Sequence, residues 1–444
     1  MIELVLAAQD ADALSARLLQ DEAESCAVLF AGSHRRSNGQ DRLLVREVEF
    51  AQPNEYAKRG RLGAELTPGF VARTTKRARM EGLSMVFAHS HPGTSPPAFS
   101  VVDDEGERAL AGFLFHRHPS RVHASMVLSA GGWNARRLGV QEPARIVALG
   151  SSRLVLQDPR ATASGPAAVF DRQVRAFGVA GQRALEELNI AVVGLGGTGS
   201  IVTQQLAHLG VRSFILVDAD TLEESNLNRV ACAAPHDVGS PKVEVAARAI
   251  ERLRPSAHVT KVFGDIMRTS VAKRLCDADV IFGCTDSHGS RAVIQQLAYQ
   301  YLIPCIDMGT TIVVSAGSVS HIYGRVQLLA PGHACFTCGG LLDSNEVRRD
   351  MMSAFERQAD PYIQGAHDPA PAVMSLNGTV SSLAVTMFLS VAAGVPSKGR
   401  HLLLNAMAPA IRTVRPVPHP SCFICSRKGS LSRGDSWPLF ARQD

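Results

Sequence analysis

The sequence predicts an α/β protein of two domains, the second built on a parallel, doubly wound sheet. Three observations carry that expectation. From residue 189 onward, short apolar runs alternate with helical stretches in a strand–helix rhythm. A glycine-rich turn, Gly194-Leu-Gly196-Gly197-Thr198-Gly199, stands between the first of these runs and the first of these helices. A stretch of small residues punctuated by Pro and Gly, 159–168, separates this part from an earlier one and reads as a linker.

Before the linker, strand-like runs at 26–30, 43–48, 84–88 and 124–129 alternate with helical stretches near 10–20, 68–80 and 100–113. The first domain is expected over 1–158 and the second over 169–444. In the second, strands are expected at 189–193, 213–217, 258–262 and 280–283, with helices at 198–209, 241–253 and 270–275. The apolar run 383–395 is interrupted by Thr386 and Ser390 and is short for a bilayer span, so it reads as a buried helix. The last stretch, 426–444, is polar and is expected to be loose.

Composition narrows the function classes. A chain of 444 residues allows two or three domains at about 100–200 residues each. Apolar residues make up 45% and charged residues 20%, enough to bury real cores. A net charge of +5 is too weak a basic excess to argue for nucleic acid. The run Arg73, Lys76, Arg77, Arg79 fits one solvated helix face, with docking of an acidic partner as the other reading. The start carries no basic leader and meets acids early, so a cytoplasmic protein without a membrane partner is expected. Cys26, Cys232, Cys276, Cys284 and Cys305 sit in mostly apolar settings and read as small buried hydrophobes of a reducing compartment.

The remaining four cysteines form two CxxC pairs, Cys335-Phe-Thr-Cys338 and Cys422-Phe-Ile-Cys425, on either side of 83 residues without a cysteine. Four thiolates so arranged suit a closed tetrahedral zinc site, with a redox disulfide as the alternative.

The glycine turn suits a nucleotide. Glycines there allow a tight turn and close approach of the backbone to phosphates, which sit on the helix N-terminus. Asp218 ends the next strand, 19 residues after Gly199, where an acid can bond ribose hydroxyls. A nicotinamide dehydrogenase would show the same signature. The residues beyond Asp218 are not dehydrogenase-like: Asp218-Ala-Asp220, then Glu224-Ser225-Asn226-Leu227-Asn228-Arg229, Gly239-Ser-Pro-Lys242 and Cys284-Thr285-Asp286, with Phe170-Asp171-Arg172-Gln173 upstream. In these landmarks the sequence resembles the ubiquitin-activating and ThiF/MoeB-type adenylyltransferases, over roughly 168–340 and again at the second CxxC. The resemblance implies a homodimer that joins a C-terminal carboxylate to the α-phosphate of ATP and expels pyrophosphate. Such a transition state gathers negative charge and needs cations and a metal. Arg229 and Lys242 can supply positive charge, and Asp286, expected to end a strand at the sheet's carboxyl edge, can hold Mg²⁺ there. By resemblance, Asn226 also contacts the phosphates and Arg172 reaches onto them from the second subunit. Many relatives carry a cysteine after the first CxxC that takes the activated carboxyl as a thioester; 339–421 has none. Cys232 lies just after Arg229 and reads as a packing residue, which leaves the catalytic thiol unassigned and an external nucleophile expected.

The first domain carries His89-Ser90-His91-Pro92 and Ser100-Val-Val-Asp103. Two histidines two apart at a strand end point to one face and can reach one metal. Asp103, in the first turn of the next helix, can be the third ligand, leaving a position for water as at a catalytic zinc. Glu24 can act as general base on that water, and Ser100 can bond the oxyanion. Over about 1–150 this resembles the JAMM (JAB/MPN) metallopeptidases that remove ubiquitin-like tags, although seven residues part Pro92 from Ser100, one more than in many relatives.

The two resemblances imply one substrate class, a small β-grasp protein ending in glycine. The expected function is a bifunctional enzyme of a bacterial-type ubiquitin-like pathway, which adenylates that C-terminus and cleaves tails or isopeptides. A ubiquitin-conjugating partner would favour tagging, for example in antiviral defence. A sulfurtransferase partner would favour a sulfur-carrier protein in cofactor or cysteine synthesis. Readings of other classes are an NAD-dependent oxidoreductase with a metal-binding appendage and a non-catalytic sensor.

Overall fold

The computed structural model describes residues 1–160, 167–353, 356 and 371–444. The chain divides into two units. The first comprises Met1–Ala163, Gln300–Leu302 and Ser426–Pro438, and the second comprises Ser164–Tyr299, Ile303–Cys425 and Leu439–Asp444. The linker expected at 159–168 falls largely outside the described residues.

The first unit contains β1 (Ile2–Ala7), α1 (Ala8–Leu18), β2 (Cys26–Arg35), β3 (Asp41–Phe50), β4 (Tyr56–Gly60), β5 (Gly63–Leu66), α2 (Pro68–Glu81), β6 (Ser84–Ser90), α3 (Val101–Arg117), β7 (Ala124–Ser129), β8 (Gly132–Arg137), β9 (Ala144–Leu149) and β10 (Arg153–Gln157). Eight strands form a mixed sheet in the order β10-β9-β1-β3-β2-β6-β7-β8, and β4–β5 is a separate hairpin. Alternation along β2 sends its side chains to two cores. Leu29 and Ala31 join Leu4, Leu6 and Leu14 of β1 and α1. Val28 and Phe30 join Phe70, Ala78 and Leu114 of α2 and α3. α2 starts where Thr67 accepts from the Phe70 N–H with Pro68 in the first turn, and stops at Gly82 in the left-handed conformation. In the basic run on α2, Arg73 pairs with Glu49 and Glu55, and Arg77 with Glu47, Glu49 and Glu81.

In the second unit α4 (Asp171–Glu187), which leaves helical geometry at Phe177 and Gly178, precedes β11 (Asn189–Val193), α5 (Gly197–Leu209), β12 (Ser213–Asp218), α6 (Lys242–Leu253), β13 (His258–Phe263), α7 (Thr269–Arg274), β14 (Val280–Gly283), α8 (His288–Gln300), β15 (Cys305–Ser315), β16 (Ser318–Leu329), α9 (Ser344–Met351), α10 (Met374–Ala392), β17 (His401–Asn405) and β18 (Ala410–Thr413). From β11 to β14, strands and helices lie within one residue of the expected positions. The sheet order is β13-β12-β11-β14-β15-β16-β17-β18. The first five strands are parallel. The last three pair antiparallel, an extension that the strand–helix rhythm did not announce because hairpins need no crossover helix.

Most of the run expected as a buried helix, 383–392, lies in α10, and 393–395 fall beyond its end. This 19-residue helix is long and apolar enough to cross a membrane by length and composition. Here Val380, Ala384, Val385, Phe388 and Val391 are packed in the core of the second unit.

The C-terminal stretch is not loose as expected. Ser430, Leu431 and Ser432 are buried. The guanidinium of Arg46 on β3, itself buried, donates to the carbonyls of Arg427, Gly429 and Leu431. Asp435 accepts from Tyr301 Oη at 3.2 Å and pairs with His34 Nδ1 at 3.0 Å. Polarity in the sequence misleads because these contacts are made largely by backbone. Gly32 of β2 leaves the space: a Cβ there would run into the Ser432 carbonyl and lie 2.7 Å from the Arg433 carbonyl. Gly32→Ala should therefore cost ~1–3 kcal/mol of stability by overpacking, read by chemical denaturation, with faster hydrogen exchange in 430–433; an unchanged midpoint would contradict the packing.

Candidate functional site

The glycine turn leaves β11 and opens α5 at the point where the sheet reverses its strand order, β12 on one side and β14 on the other. Val193 is in register with Gly283 of β14, so the loops after these strands face each other. Gly194 has φ +87°, and a Cβ there would stand 2.7 Å from the Cys284 carbonyl. Gly199 is a packing glycine, because its Cβ would strike the Gly194 carbonyl. Around Gly196 there is open space. The leading N–H groups of α5, which have no helical acceptor, are thus presented to a cleft. Gly194, Gly196, Gly197, Asp218, Asp220, Arg229, Lys242 and Asp286 all line this cleft, whose volume is ≈ 1460 Å³. Small-molecule pockets run to about 300–1,000 Å³, so a nucleotide leaves room for a second reactant.

Asp218 is held by its own loop, with Oδ2 accepting from Leu195 N–H at 2.6 Å and Oδ1 from Asp220 N–H at 2.8 Å. Burial raises its pKa, against those bonds and the charge of Lys242. Each oxygen keeps a lone pair for a ribose hydroxyl. Lys242 Nζ rests on Asp220 at 2.7 Å, and Arg229 Nη1 donates to the Ser225 carbonyl at 2.6 Å. Asp286 is exposed and lies three residues beyond the end of β14, not at the strand end as expected.

Two expected phosphate ligands do not line the cleft of their own chain. Asn226 is buried, its Oδ1 accepts from Glu223 N–H at 3.3 Å, and it does not line the cleft. Its amide serves the 3₁₀ turn that carries Arg229. Arg172 is exposed in the first turn of α4 and is not among the lining residues. Sequence reasoning missed Arg291, which clamps the Asp286 loop by donating to the carbonyls of Thr285 (2.6 Å) and Asp286 (3.1 Å). Its charge is balanced by fully buried Asp307 at 3.5 Å, which also pairs with Arg325. An arginine five residues after Asp286 was the one available signal.

The four cysteines of the CxxC pairs converge, with all Sγ atoms within 4.8 Å of one another. Cys335–Cys422 and Cys338–Cys425 are each separated by 3.6 Å. Tetrahedral corners with that edge lie about 2.2 Å from the centre, which fits the zinc–thiolate distance. N–H groups of Cys338, His419 and Ile424 point at the sulfurs at 3.3–3.4 Å and favour thiolate. The donor set and geometry fit a structural zinc.

In the first unit, β6 ends beside the start of α3. His89 Nε2 and His91 Nε2 are 3.1 Å apart, and Asp103 lies 3.1 Å from the first and 3.4 Å from the second. The two distances to Asp103 are to its Oδ1 and Oδ2 in turn, and one ligand atom from each of the three residues lies within 4.8 Å of the others, close enough for a single metal ion. Burial alone would raise the Asp103 pKa, but hydrogen bonds from both histidines hold it far below the usual range. Ser100 caps α3: its Oγ accepts from Asp103 N–H at 3.2 Å, leaving the hydroxyl proton to donate. Glu24 stands two residues before β2, 3.9 Å from His91 Nε2. Burial raises its pKa, against the pull of both histidines. Its backbone is fixed by Gly60, which accepts its N–H at 2.8 Å, and by Arg59, which donates to its carbonyl at 3.0 Å.

The second unit is an α/β nucleotide-type domain with a closed four-cysteine cluster. Its sequence matches the ThiF family over residues 170–424, and the chain belongs to that family. It is similar to the molybdopterin-synthase adenylyltransferase of Escherichia coli (strain K12), with 26% identity over 264 residues that cover 58% of this chain and 96% of that one. It is also similar to the SAMP-activating enzyme E1 of Haloferax volcanii, at 27% identity covering 57% of this chain and 85% of that one. Ubiquitin-like modifier-activating enzyme 5 of Oryza sativa subsp. japonica is 26% identical, over 54% of this chain and 56% of its own length. The unit is a ThiF-type adenylyltransferase domain, which sets aside the nicotinamide oxidoreductase.

Metal analysis should return two zinc ions per chain. Cys338→Ser should remove one and His89→Ala the other, read by mass spectrometry of metal content; a single zinc insensitive to His89→Ala would refute the N-terminal site.

Proposed function

We propose that the chain adenylates the C-terminal glycine of a ubiquitin-like or sulfur-carrier protein, and that its first unit is a JAMM-type zinc peptidase acting on tails or isopeptides of the same protein. The observation that carries the first activity is the meeting of Arg229, Lys242 and Asp286 on one cleft at the N-terminus of α5. A carboxylate oxygen of the small protein attacks the α-phosphorus of ATP. The bond to the bridging oxygen breaks, and pyrophosphate leaves with its electron pair. Lys242, drawn off Asp220, and Arg229 compensate the phosphate charge. Mg²⁺ held by Asp286 would neutralise more of it. Asp218 orients the ribose. Arg172, exposed and outside its own cleft, suits delivery from the second subunit of a homodimer.

An external nucleophile then consumes the adenylate. Cys232 is half-buried at φ +70°, its thiol pKa is raised by burial, and it does not line the cleft. Cys284 lines the cleft but is also half-buried, its pKa again raised by burial. Among the described residues neither is a ready thiolate.

The peptidase reading is supported by the ligand triangle of His89, His91 and Asp103 with Glu24 beside it. Zinc bound there supplies a Lewis acid that acidifies water and polarises a carbonyl. Glu24 accepts the proton and returns it to the leaving amine, and Ser100 donates to the oxyanion. A soluble, cytoplasmic setting is part of this proposal.

Arg229→Ala, Lys242→Ala and Asp286→Ala should each slow ATP–pyrophosphate exchange by roughly 10²–10³, while Cys232→Ser leaves exchange intact. Full exchange in all three would sink the adenylation site, and a reducible adduct abolished by Cys232→Ser would make that thiol the nucleophile. Glu24→Gln should keep zinc and lose cleavage of a tailed or isopeptide-linked substrate; undiminished cleavage would reject the peptidase.

A further inference from the structure

Asn377 lies in the first turn of α10, is 3% exposed, and lines the nucleotide cleft. Its Oδ1 accepts from Thr310 Oγ1 of β15 at 3.3 Å. That bond turns the amide so that Nδ2 faces away from Thr310. Nδ2 lies against Gly197, the first residue of α5. A Cβ on Gly197 would collide with Nδ2, come within 3.0 Å of Asn377 Cγ, and lie 3.7 Å from Arg229 Cβ. Gly197 is therefore a glycine partly to admit this amide. Among the described residues, Nδ2 has no protein acceptor. On a side chain only 3% exposed, Nδ2 meets solvent at the cleft, so its two donors are open to a ligand seated there.

The surroundings say what the partner is. The leading N–H groups of α5 lie beside Nδ2, Arg229 Cβ stands close to Gly197, and the cationic Arg229 lines the same cleft. An anionic acceptor satisfies all of them. We propose that Asn377 Nδ2 donates to an anionic oxygen of the nucleotide's phosphate chain seated on the N-terminus of α5. Thr310 is the positioning residue that sets the amide's orientation. The inference rests on the adenylation reading.

The test is calorimetric titration of the full chain with ATP·Mg²⁺ and, separately, with adenosine, which has the base and ribose but no phosphate. Asn377→Ala should weaken ATP binding about tenfold or more, the worth of a hydrogen bond to a charged group, and leave adenosine binding unchanged. Asn377→Asp, which sets a carboxylate against the phosphates, should weaken ATP further. Thr310→Val should weaken ATP by a smaller factor, and Thr310→Ser should restore it. Thermal melting without ligand identifies a misfolded Asn377 variant, in which case the Thr310 pair decides. Equal loss of ATP and adenosine, or unchanged ATP binding in Asn377→Ala, would overturn this contact alone. A folded wild-type chain that binds no ATP would overturn the adenylation reading and the contact with it.

Discussion

The second unit depends on how closely the ends of β11 and β14 can approach. Gly194 and Gly199 meet carbon and oxygen atoms of backbone where a side chain would stand, and Cys284 of the β14 loop closes the same space. With no side chains there, the loop lies flat and α5 starts at the sheet edge with its N–H groups outward. Everything charged in the cleft is arranged around that end. Asp218 is pinned by Leu195 and Asp220, and Lys242 waits on Asp220. An added Cβ would move the helix start, and with it the point that all of these groups address.

Buried charge is used for position in both units. Arg291 crosses from α8 to hold two carbonyls of the Asp286 loop, and Asp307 neutralises it from the next strand. Removing one member would strand a charge in low dielectric, which costs more than the pair contributes. In the first unit Arg46 plays a comparable part with neutral acceptors. Its charge is spread over three carbonyls of the C-terminal segment, and burial together with nearby arginines lowers its pKa to about 10. It stays protonated at neutral pH and orders a segment with little apolar surface of its own.

The two metal-type clusters differ in geometry and setting. The four sulfurs form a closed set with N–H groups around them, and a filled tetrahedron leaves no position for substrate. His89, His91 and Asp103 form three corners only, half-buried, with a carboxylate whose pKa is raised by burial nearby. Under the proposed peptidase reading, the fourth corner would take the water beside Glu24, the group placed to accept its proton.

Some of this was legible in the residues alone. The strand–helix rhythm and the glycine turn are local patterns, governed by periodicity and steric freedom, and they appear where expected; the two CxxC pairs are local as well, but their meeting depends on the fold. Tertiary structure decided what stands opposite them. Asn226 reads as a phosphate ligand in the sequence; in the fold it lies outside the cleft lining and its Oδ1 accepts from the Glu223 N–H. Asn377, 180 residues from Gly197 along the chain, faces it only because α10 packs on α5. Arg291 found Asp307 through strand pairing, and the polar tail found order in Arg46. Each of these depends on partners distant in sequence, whose pairing is set by which backbones can touch, and no local pattern records that.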